Sequence, residues 1–161
     1  INEHLMTLYM LTKQLNLQSI LELGTRTGES TVALLLAAKE IGGTVTSIDI
    51  VDCPEAKAKV ASLRLTKYWH FIKDDDLLVE WNTPIDHLFI DTSHTYYQTL
   101  KELQKFEPYV NTGGVITLHD IVTHPDVLQA INKYLSKRTG LQLYKYFNNN
   151  GLAVIFKRGR K

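Results

Sequence analysis

The fold of this chain is decided by the segment Leu21-Glu22-Leu23-Gly24-Thr25-Arg26-Thr27-Gly28-Glu29-Ser30-Thr31. A hydrophobic strand runs into a turn with two glycines, and a helix begins directly after the turn. The next predicted strand, 44–50, carries an acidic residue, Asp49, near its end. In a parallel sheet this order of elements forms a nucleotide-sized pocket at the carboxyl ends of the strands.

The spacing of the glycines argues against two common nucleotide motifs. A dinucleotide-binding fingerprint needs glycines where Arg26 and Glu29 stand, because its backbone must approach a pyrophosphate. A phosphate-cradling loop needs a lysine where Glu29 stands, and a carboxylate there would repel a phosphate. The pocket therefore fits an adenosine group without a phosphate chain. The alternative is a turn whose glycines serve only close packing.

The E-x-G-x-x-x-G pattern from Glu22 to Gly28 resembles motif I of the class I S-adenosylmethionine (SAM) methyltransferases. In that family the turn passes beside the amino-acid end of SAM. The resemblance also implies that Asp49 binds the ribose, with Ile50 beside it, since a carboxylate can accept two hydrogen bonds from a diol. A helix cap is the alternative role for Asp49. Within the motif, the residues expected to bind the cofactor are Glu22, Gly24, Thr25, Arg26, Gly28 and Ser30.

Three consecutive acidic residues, Asp74-Asp75-Asp76, follow the third predicted strand. Together with Ile72 and Lys73 they resemble the Gly-Asp element of the same family, whose carboxylate receives the adenine amino group. Asp75 aligns best, and Asp74 takes the usual glycine position. We expect at least one of the three aspartates to cap a following helix instead.

Hydrophobic periodicity and turn residues predict alternating strands and helices that end in a β-hairpin. Such alternation gives a parallel sheet with helices on both faces, and Asn148-Asn149-Asn150-Gly151 is a strong hairpin turn. The resemblance implies an α/β, Rossmann-like, doubly wound seven-stranded sheet of order 3-2-1-4-5-7-6, with strand 7 antiparallel. The predicted helices are 3–17, 28–41, 54–66, 75–81, 94–107 and 125–138, and the predicted strands are 19–23, 44–50, 68–73, 85–91, 115–119, 141–147 and 152–157.

The 161 residues are expected to form a single domain, 1–161, whose first helix is part of the segment 1–17. The chain begins at Ile1, which leaves an upstream segment open. Because 18 basic and 17 acidic residues nearly cancel, the net charge does not indicate nucleic-acid binding. The basic residues near the end, Lys157, Arg158, Arg160 and Lys161, are interpreted as a solvated tail.

The single cysteine, Cys53, excludes an internal disulfide and indicates a reducing, cytoplasmic location. A following helix could make the thiol more acidic, and a plain place in the pocket wall is the alternative. No apolar run reaches membrane-spanning length and no signal peptide is visible. The expected partner is a small-molecule acceptor rather than nucleic acid or a membrane, and a homodimer is one way to complete a site with short loops.

Two acidic residues, Asp91 and Asp120, follow the fourth and fifth predicted strands. Neighbouring parallel strands deliver both carboxylates to one rim, where they repel one another. A divalent cation resolves that repulsion, and Mg²⁺ often takes one or two protein carboxylates while it keeps exchangeable waters. A metal-bound hydroxyl loses its proton more readily. The pair therefore predicts a metal-assisted reaction of a hydroxyl group.

The segments around these acids are Ile90-Asp91-Thr92-Ser93-His94-Thr95-Tyr96 and Gly113 to Asp120. They resemble the Ile-Asp-Gly-x-His-x-Tyr and Gly-Gly-x4-His-Asp motifs of bacterial metal-dependent small-molecule O-methyltransferases. The resemblance implies that Asp91 and Asp120 are metal ligands, that Asp91 lies at the reacting and cofactor-binding centre, and that His94 is the general base. Support of Asp91 is the alternative role for His94. His94 also replaces the lysine of the catechol-type enzymes.

A third metal ligand is left open, because Ile121 stands where the catechol-type enzymes carry an asparagine. His119 is the tentative candidate, although neighbouring strand residues point to opposite faces. It could instead contact the cofactor. Among the other histidines, His124 could reach the rim, whereas His4, His70 and His87 are expected to be structural.

The sequence thus predicts a SAM-dependent O-methyltransferase that acts on a small hydroxylated molecule with Mg²⁺. One alternative is a protein that binds SAM without chemistry. The other is a Rossmann-like oxidoreductase, which the missing glycines oppose.

Overall fold

The computed structural model describes residues 1–159, so two residues of the predicted basic tail, Arg160 and Lys161, lie outside the described part. The helices are α1 (Leu5–Gln14), α2 (Glu29–Ile41), α3 (Pro54–Ser62), α4 (Tyr96–Phe106) and α5 (Pro125–Leu135). The strands are β1 (Ser19–Leu23), β2 (Thr44–Asp49), β3 (Trp69–Lys73), β4 (Ile85–Ile90), β5 (Val110–His119), β6 (Leu141–Tyr146) and β7 (Leu152–Lys157).

One sheet contains the strands in the order β3-β2-β1-β4-β5-β7-β6, which confirms the predicted topology. The first five strands are parallel, and β7 is antiparallel to both β5 and β6. The strand order reverses between β1 and β4. At that point the carboxyl ends of neighbouring strands separate and open a crevice for a ligand.

Helices cover both faces of the sheet, so its central strands are apolar on both sides. Successive residues alternate between the faces. Leu21 and Leu23 pack in the cluster that contains Phe106 of α4 and Ile131 of α5. Ile20, by contrast, packs in the cluster with Leu8, Leu34 and Leu35 from α1 and α2.

Buried hydrogen bonds fix α1 on the sheet. His87 of β4 is fully buried, with Nδ1 2.8 Å from Thr12 Oγ1 and Nε2 2.8 Å from Thr117 Oγ1. Burial lowers the pKa of His87 to about 3, so the ring is neutral and joins helix to strand. His4, also buried, lies 2.9 Å through its Nε2 from the carbonyl oxygen of Asn148 in the hairpin turn.

The predicted short helix 75–81 is wrong, because the segment forms only a turn. The carbonyl oxygens of Asp76 and Val79 accept hydrogen bonds from Lys105 Nζ, which uses acceptors that a helix would need. Several boundaries also differ, and α3 and α5 end at Ser62 and Leu135 rather than at residues 66 and 138. Strand β5 begins at Val110 rather than at residue 115, with a register shift opposite Ile85 and His87, and α1 is shorter than predicted.

Candidate active site

A cavity of about 450 Å³ lies at the carboxyl ends of β1, β2, β3 and β4. Its volume is within the usual range for small-molecule and cofactor sites. Several carboxylates line it, so the cavity favours a cationic ligand. The predicted cofactor residues that line it are Gly24, Arg26, Asp49, Ile50, Asp74, Asp75 and Asp91.

The two glycines of the motif are required by the backbone and by their neighbours. Gly24 has φ +87°, and a Cβ atom there would lie 2.2 Å from the carbonyl oxygen of Asp91. Gly28, at φ +85°, would place a Cβ atom 2.8 Å from the Cβ atom of Ala56. Both residues therefore allow the turn to approach β4 and α3, which brings the motif against the acid at the end of β4.

Asp49 holds the same turn from the end of β2. Its Oδ2 accepts hydrogen bonds from the backbone N–H groups of Thr25 (2.8 Å) and Arg26 (3.0 Å), and Oδ1 accepts one from Val51 (3.0 Å). Burial alone would raise the pKa of Asp49, but these donors outweigh it and hold the pKa below its ordinary value. Oδ2 is thereby saturated, and Oδ1 of the charged carboxylate can accept one further hydrogen bond, such as one from a ribose hydroxyl.

Glu22 lines neither this cavity nor the adjoining one, and its burial corrects its expected direct contact with the cofactor. The side chain is fully buried and accepts hydrogen bonds from Ser30 (2.7 Å), Thr31 (2.7 Å) and Ser47 (2.6 Å). Burial raises its pKa to about 7, although the three hydroxyls oppose that rise. Glu22 therefore ties β1 to α2 and β2 beneath the turn. Ser30 reaches the neighbouring cavity described below.

The three aspartates after β3 have different environments. Asp74 is exposed and accepts a hydrogen bond from the N–H of Asp75, while Asp75 accepts one from the N–H of Leu77. Both side chains thus cap the local turn, and no helix follows it. Asp76 is buried and accepts a 2.9 Å hydrogen bond from Gln98 Nε2 on α4.

A second cavity, of about 270 Å³, adjoins the first. Gly24, Arg26, Asp91 and Thr92 line both cavities. The second cavity is also lined by residues of the motif that were expected to bind the cofactor and by residues that were expected to act as base or metal ligand. These are Thr25, Ser30, His94, His119 and Asp120. The cofactor-sized cavity and the acid pair therefore meet at the end of β4.

Two histidines surround the acid pair. His94 Nε2 lies 2.9 Å from Asp91 Oδ1 and 2.9 Å from Asp120 Oδ2. His119 Nδ1 lies 3.3 Å from Asp120 Oδ2 and 3.7 Å from Asp91 Oδ2. The two oxygens of Asp91 thus face different histidines, so one can remain bonded to His94 while the other takes a second partner.

Asp91 and its histidine neighbours affect one another's pKa values. Burial alone would raise the pKa of Asp91, but nearby His119 and the contact with His94 outweigh it and bring the pKa to about 2. Asp91 in turn raises the pKa of His94 above its ordinary value, against the effect of burial. At neutral pH the pair is thus an ionised carboxylate beside an imidazole of increased basicity.

His119 and Asp120 point into the same site, so the expected conflict between neighbouring strand residues does not arise. The alternation of side chains holds only within the strand, and β5 ends at His119. Asp120 adopts φ +62° and His94 adopts φ +57°, a left-handed conformation that is uncommon for residues other than glycine. These backbone angles turn both side chains toward Asp91.

The donor set of Asp91, His119 and Asp120 fits a divalent metal ion. One ligand atom from each residue lies within 4.8 Å of the other two. His119 Nε2 lies 3.2 Å from the carbonyl oxygen of Asn149, so it can carry the proton and leave Nδ1 free as a ligand atom. A ligating histidine commonly donates its other N–H group to such an oxygen.

A second group, of His94, Asp120 and His124, has a similar spread of ligand atoms. Here, however, the imidazole rings stack nearly parallel, with centroids 4.6 Å apart and planes at 17°. The lone pair of a ring nitrogen lies in the ring plane, so two stacked rings do not aim at one ion. Stacking is therefore the role of His124 at the rim.

Two further points differ from the sequence analysis. Burial and, as a smaller cause, the neighbouring Asp49 raise the pKa of Cys53 to about 12. The helix α3 therefore does not acidify the thiol. Gln98, which lines the first cavity, and Glu102, which is buried and hydrogen-bonded to it, were not predicted from the sequence. Their spacing of four residues on α4 places them on one helix face, which was the available signal.

Comparison with known proteins agrees with this architecture. Residues 21–121 match the family described as a methyltransferase domain. An O-methyltransferase from Bacillus cereus in complex with S-adenosylhomocysteine (SAH) superimposes with a TM-score of 0.80 at 17% identity, over 98% of this chain and 82% of that one. The O-methyltransferase TomG from Streptomyces achromogenes, involved in tomaymycin synthesis and bound to SAM, gives 0.78 at 16%, over 98% and 80%. The SAH-bound methyltransferase PaMTH1 from Podospora anserina gives 0.79 at 12%, over 97% and 78%.

The chain belongs to the methyltransferase-domain family, since the matched residues make up more than half of it. It is a class I SAM-dependent methyltransferase that resembles the O-methyltransferase group. Within residues 1–159, no helix has the length and apolar character needed to cross a membrane.

Proposed function

We propose that this methyltransferase transfers the methyl group of SAM to a hydroxyl oxygen of a small molecule, with a divalent cation held by Asp91, Asp120 and His119. The convergence of these three side chains beside the cofactor-sized cavity carries the proposal. The second cavity, of about 270 Å³, supports an acceptor of small size. The nearly balanced net charge of +1 gives a nucleic-acid substrate no comparable support.

The chain's own residues supply positioning and a route for the proton. The acceptor oxygen forms a bond to the methyl carbon while the sulfur–carbon bond breaks, which leaves neutral SAH. His94 Nε2 is held by the two carboxylates, so Nδ1 is the nitrogen that accepts the hydroxyl proton. Asp91 raises the proton affinity of that ring, as an acid does behind a catalytic histidine.

The proposed cation, for which Mg²⁺ is the first candidate, would make the acceptor hydroxyl more acidic and orient it. His119 widens the set of suitable ions, because imidazole also binds Zn²⁺ and Fe²⁺ well. Asp91 and Asp120 supply negative charge from two different strands. The rigid sheet thus fixes their separation.

A turnover assay tests the proposal. Purified protein is incubated with SAM and a panel of catechols and hydroxylated sugars, with EDTA and then with added Mg²⁺, Mn²⁺ or Zn²⁺. We expect O-methylated product and SAH, loss of turnover in EDTA, and recovery with at least one metal. SAH binding without turnover on any acceptor would favour a SAM-binding protein without chemistry. Turnover that EDTA leaves unchanged would contradict the proposed requirement for a divalent cation.

Substitution of His94 by Gln tests the proposed base. We expect kcat to fall by roughly 100-fold or more, with a smaller change in KM for the acceptor. The wild-type rate should rise with pH as His94 loses its proton, and the variant should lose that rise. Glu80→Gln, which changes an exposed carboxylate, serves as the control. A variant that keeps the wild-type pH profile would assign His94 to support of Asp91.

A further inference from the structure

A buried polar cluster closes one end of the first cavity. It consists of Asp76 from the turn after β3 together with Gln98 and Glu102 from α4. Glu102 is fully buried and Asp76 is 6% exposed, whereas Gln98 is half-buried and lines the cavity with Asp76. Two carboxyl groups in such a place are costly unless they are paired or protonated.

The amide of Gln98 has one possible orientation. Its Nε2 lies 2.9 Å from Asp76 Oδ1 and 3.0 Å from Glu102 Oε1. Carboxyl groups accept both amide protons there, so the nitrogen must face them. The carbonyl oxygen of Gln98 then lies on the opposite side of the amide, and no donor within residues 1–159 binds this acceptor of the cavity wall.

Glu102 has an unpartnered oxygen. Its Oε1 accepts hydrogen bonds from Thr92 Oγ1 (2.6 Å) and Gln98, but Oε2 is buried without a donor among the described residues. A proton on Glu102, donated toward Asp76, satisfies this atom and removes the repulsion between the two acids. Burial and the neighbouring Asp76 raise the pKa of Glu102 to about 8, and burial also raises the pKa of Asp76.

Among the described residues, Lys105 is the cation nearest to this pair, and its charge is shared with Asp74, Asp75 and Asp76. Asp74 and Asp75 add negative charge from the same turn. Lys105 of α4 directs its Nζ to the carbonyl oxygens of Asp76 and Val79. Asp91, which follows β4, faces His94 and His119, and Asp126 of α5 accepts a hydrogen bond from the N–H of Tyr96. A shared proton is therefore the simplest compensation.

This end of the cavity is where an adenine ring fits. Asp49 is the expected ribose ligand, and the exposed apolar side chains of Ile50 and Val51 follow it along the cavity wall. We propose that Gln98 selects adenine by accepting a hydrogen bond from its exocyclic amino group, and that Asp76 and Glu102 hold the amide by sharing one proton. The inference rests on SAM binding and is independent of the metal and the acceptor.

A pair of ligands tests the selection of adenine. SAH carries the amino group, whereas S-inosyl-L-homocysteine carries a carbonyl oxygen in its place. Calorimetric titration should show that wild-type protein prefers SAH by roughly 10- to 100-fold. Gln98→Leu should bring the ratio of the two affinities near one. Gln104→Leu makes the same change at an exposed position of α4 and should keep the wild-type ratio. Equal binding of both ligands to wild type, or an unchanged ratio in Gln98→Leu, overturns the selection.

A pH series tests the shared proton. Glu102→Gln keeps the shape of the side chain and replaces the titratable proton by an amide N–H that can donate to Asp76 at every pH. If only the protonated pair binds, SAH affinity of the wild type should fall about tenfold per pH unit above the pKa of Glu102, relative to Glu102→Gln. Other titrating groups act equally in both proteins. Parallel pH profiles overturn the shared proton. Failure of SAH to bind at all would overturn the inference together with the assignment of the cavity.

Discussion

Single residues at the site depart from ordinary backbone conformations. Arg26, Cys53, His94 and Asp120 all have positive φ although none is glycine. Such strain persists where surrounding structure enforces it, and it often marks functional sites. The sequence allowed Asp91 and Asp120 to be predicted as neighbours from the strand order. His119 also faces the site because β5 ends at this residue and Asp120 then adopts a positive φ. No residue pattern in the sequence specified that strand end.

Asp49 combines a structural role with its expected role in ribose binding, so its substitution should affect both. Asp49→Asn loses charge and acceptors, and we expect SAH binding to weaken by about 1–3 kcal/mol. Calorimetry measures this effect, with thermal unfolding in parallel. Asp52→Asn, at an exposed neighbour paired with Lys57, is the control. Unchanged SAH affinity alongside reduced stability would leave Asp49 only its role in the turn.

At the scale of elements, the glycine turn depends on its contact with β4. Gly24→Ala places a Cβ atom against the carbonyl of Asp91 and also requires an unfavourable φ. Gly42→Ala shares the positive φ, at +72°, but meets nothing within 4 Å. We expect Gly42→Ala to cost about 1–2 kcal/mol of unfolding free energy and Gly24→Ala to cost clearly more. Denaturant unfolding compares them, and equal losses would contradict a role for close approach.

The elements that the sequence predicted best carry strong local signals. Apolar strands, paired glycines and the Asn-Asn-Asn-Gly turn each limit the backbone to few conformations. The segment 75–81 misled because its acidic start resembles a helix cap, whereas Lys105 and Gln98 from the distant α4 bind its carbonyl and carboxyl oxygens. The start of β5 was missed because Asn111-Thr112-Gly113-Gly114 resembles a turn. Long-range contacts of this kind leave no periodic signal in the chain.

At the scale of the whole molecule, buried titratable groups should shape the pH dependence of stability. The pKa values of Glu22 and Glu102 are raised on folding, to about 7 and about 8, so the folded state binds more protons than the unfolded state above the ordinary glutamate range. The pKa of His94 is also raised. Each effect stabilises the fold at lower pH and is lost as pH rises through the folded pKa.

His87 acts in the opposite direction, because its pKa is lowered to about 3. Below its ordinary pKa the unfolded state takes up a proton that the folded state refuses, so stability falls with further acidification. We therefore expect maximal stability on the mildly acidic side of neutrality and a decline from about pH 6 to about pH 9. Denaturant unfolding across this range measures it, and Glu102→Gln should show a shallower decline. A rise in stability over the same range would contradict these assignments.

We propose above that the acids at the ends of β4 and β5 hold a divalent cation beside the methyl donor. Electron paramagnetic resonance of Mn²⁺ titrated into the SAH-bound protein measures this directly. We predict one Mn²⁺ bound per chain, with affinity weakened by roughly tenfold or more in Asp91→Asn and in Asp120→Asn, and with SAH binding retained in Asp120→Asn. Absence of site-bound Mn²⁺, or Mn²⁺ affinity in both variants equal to that of the wild type, would contradict this assignment.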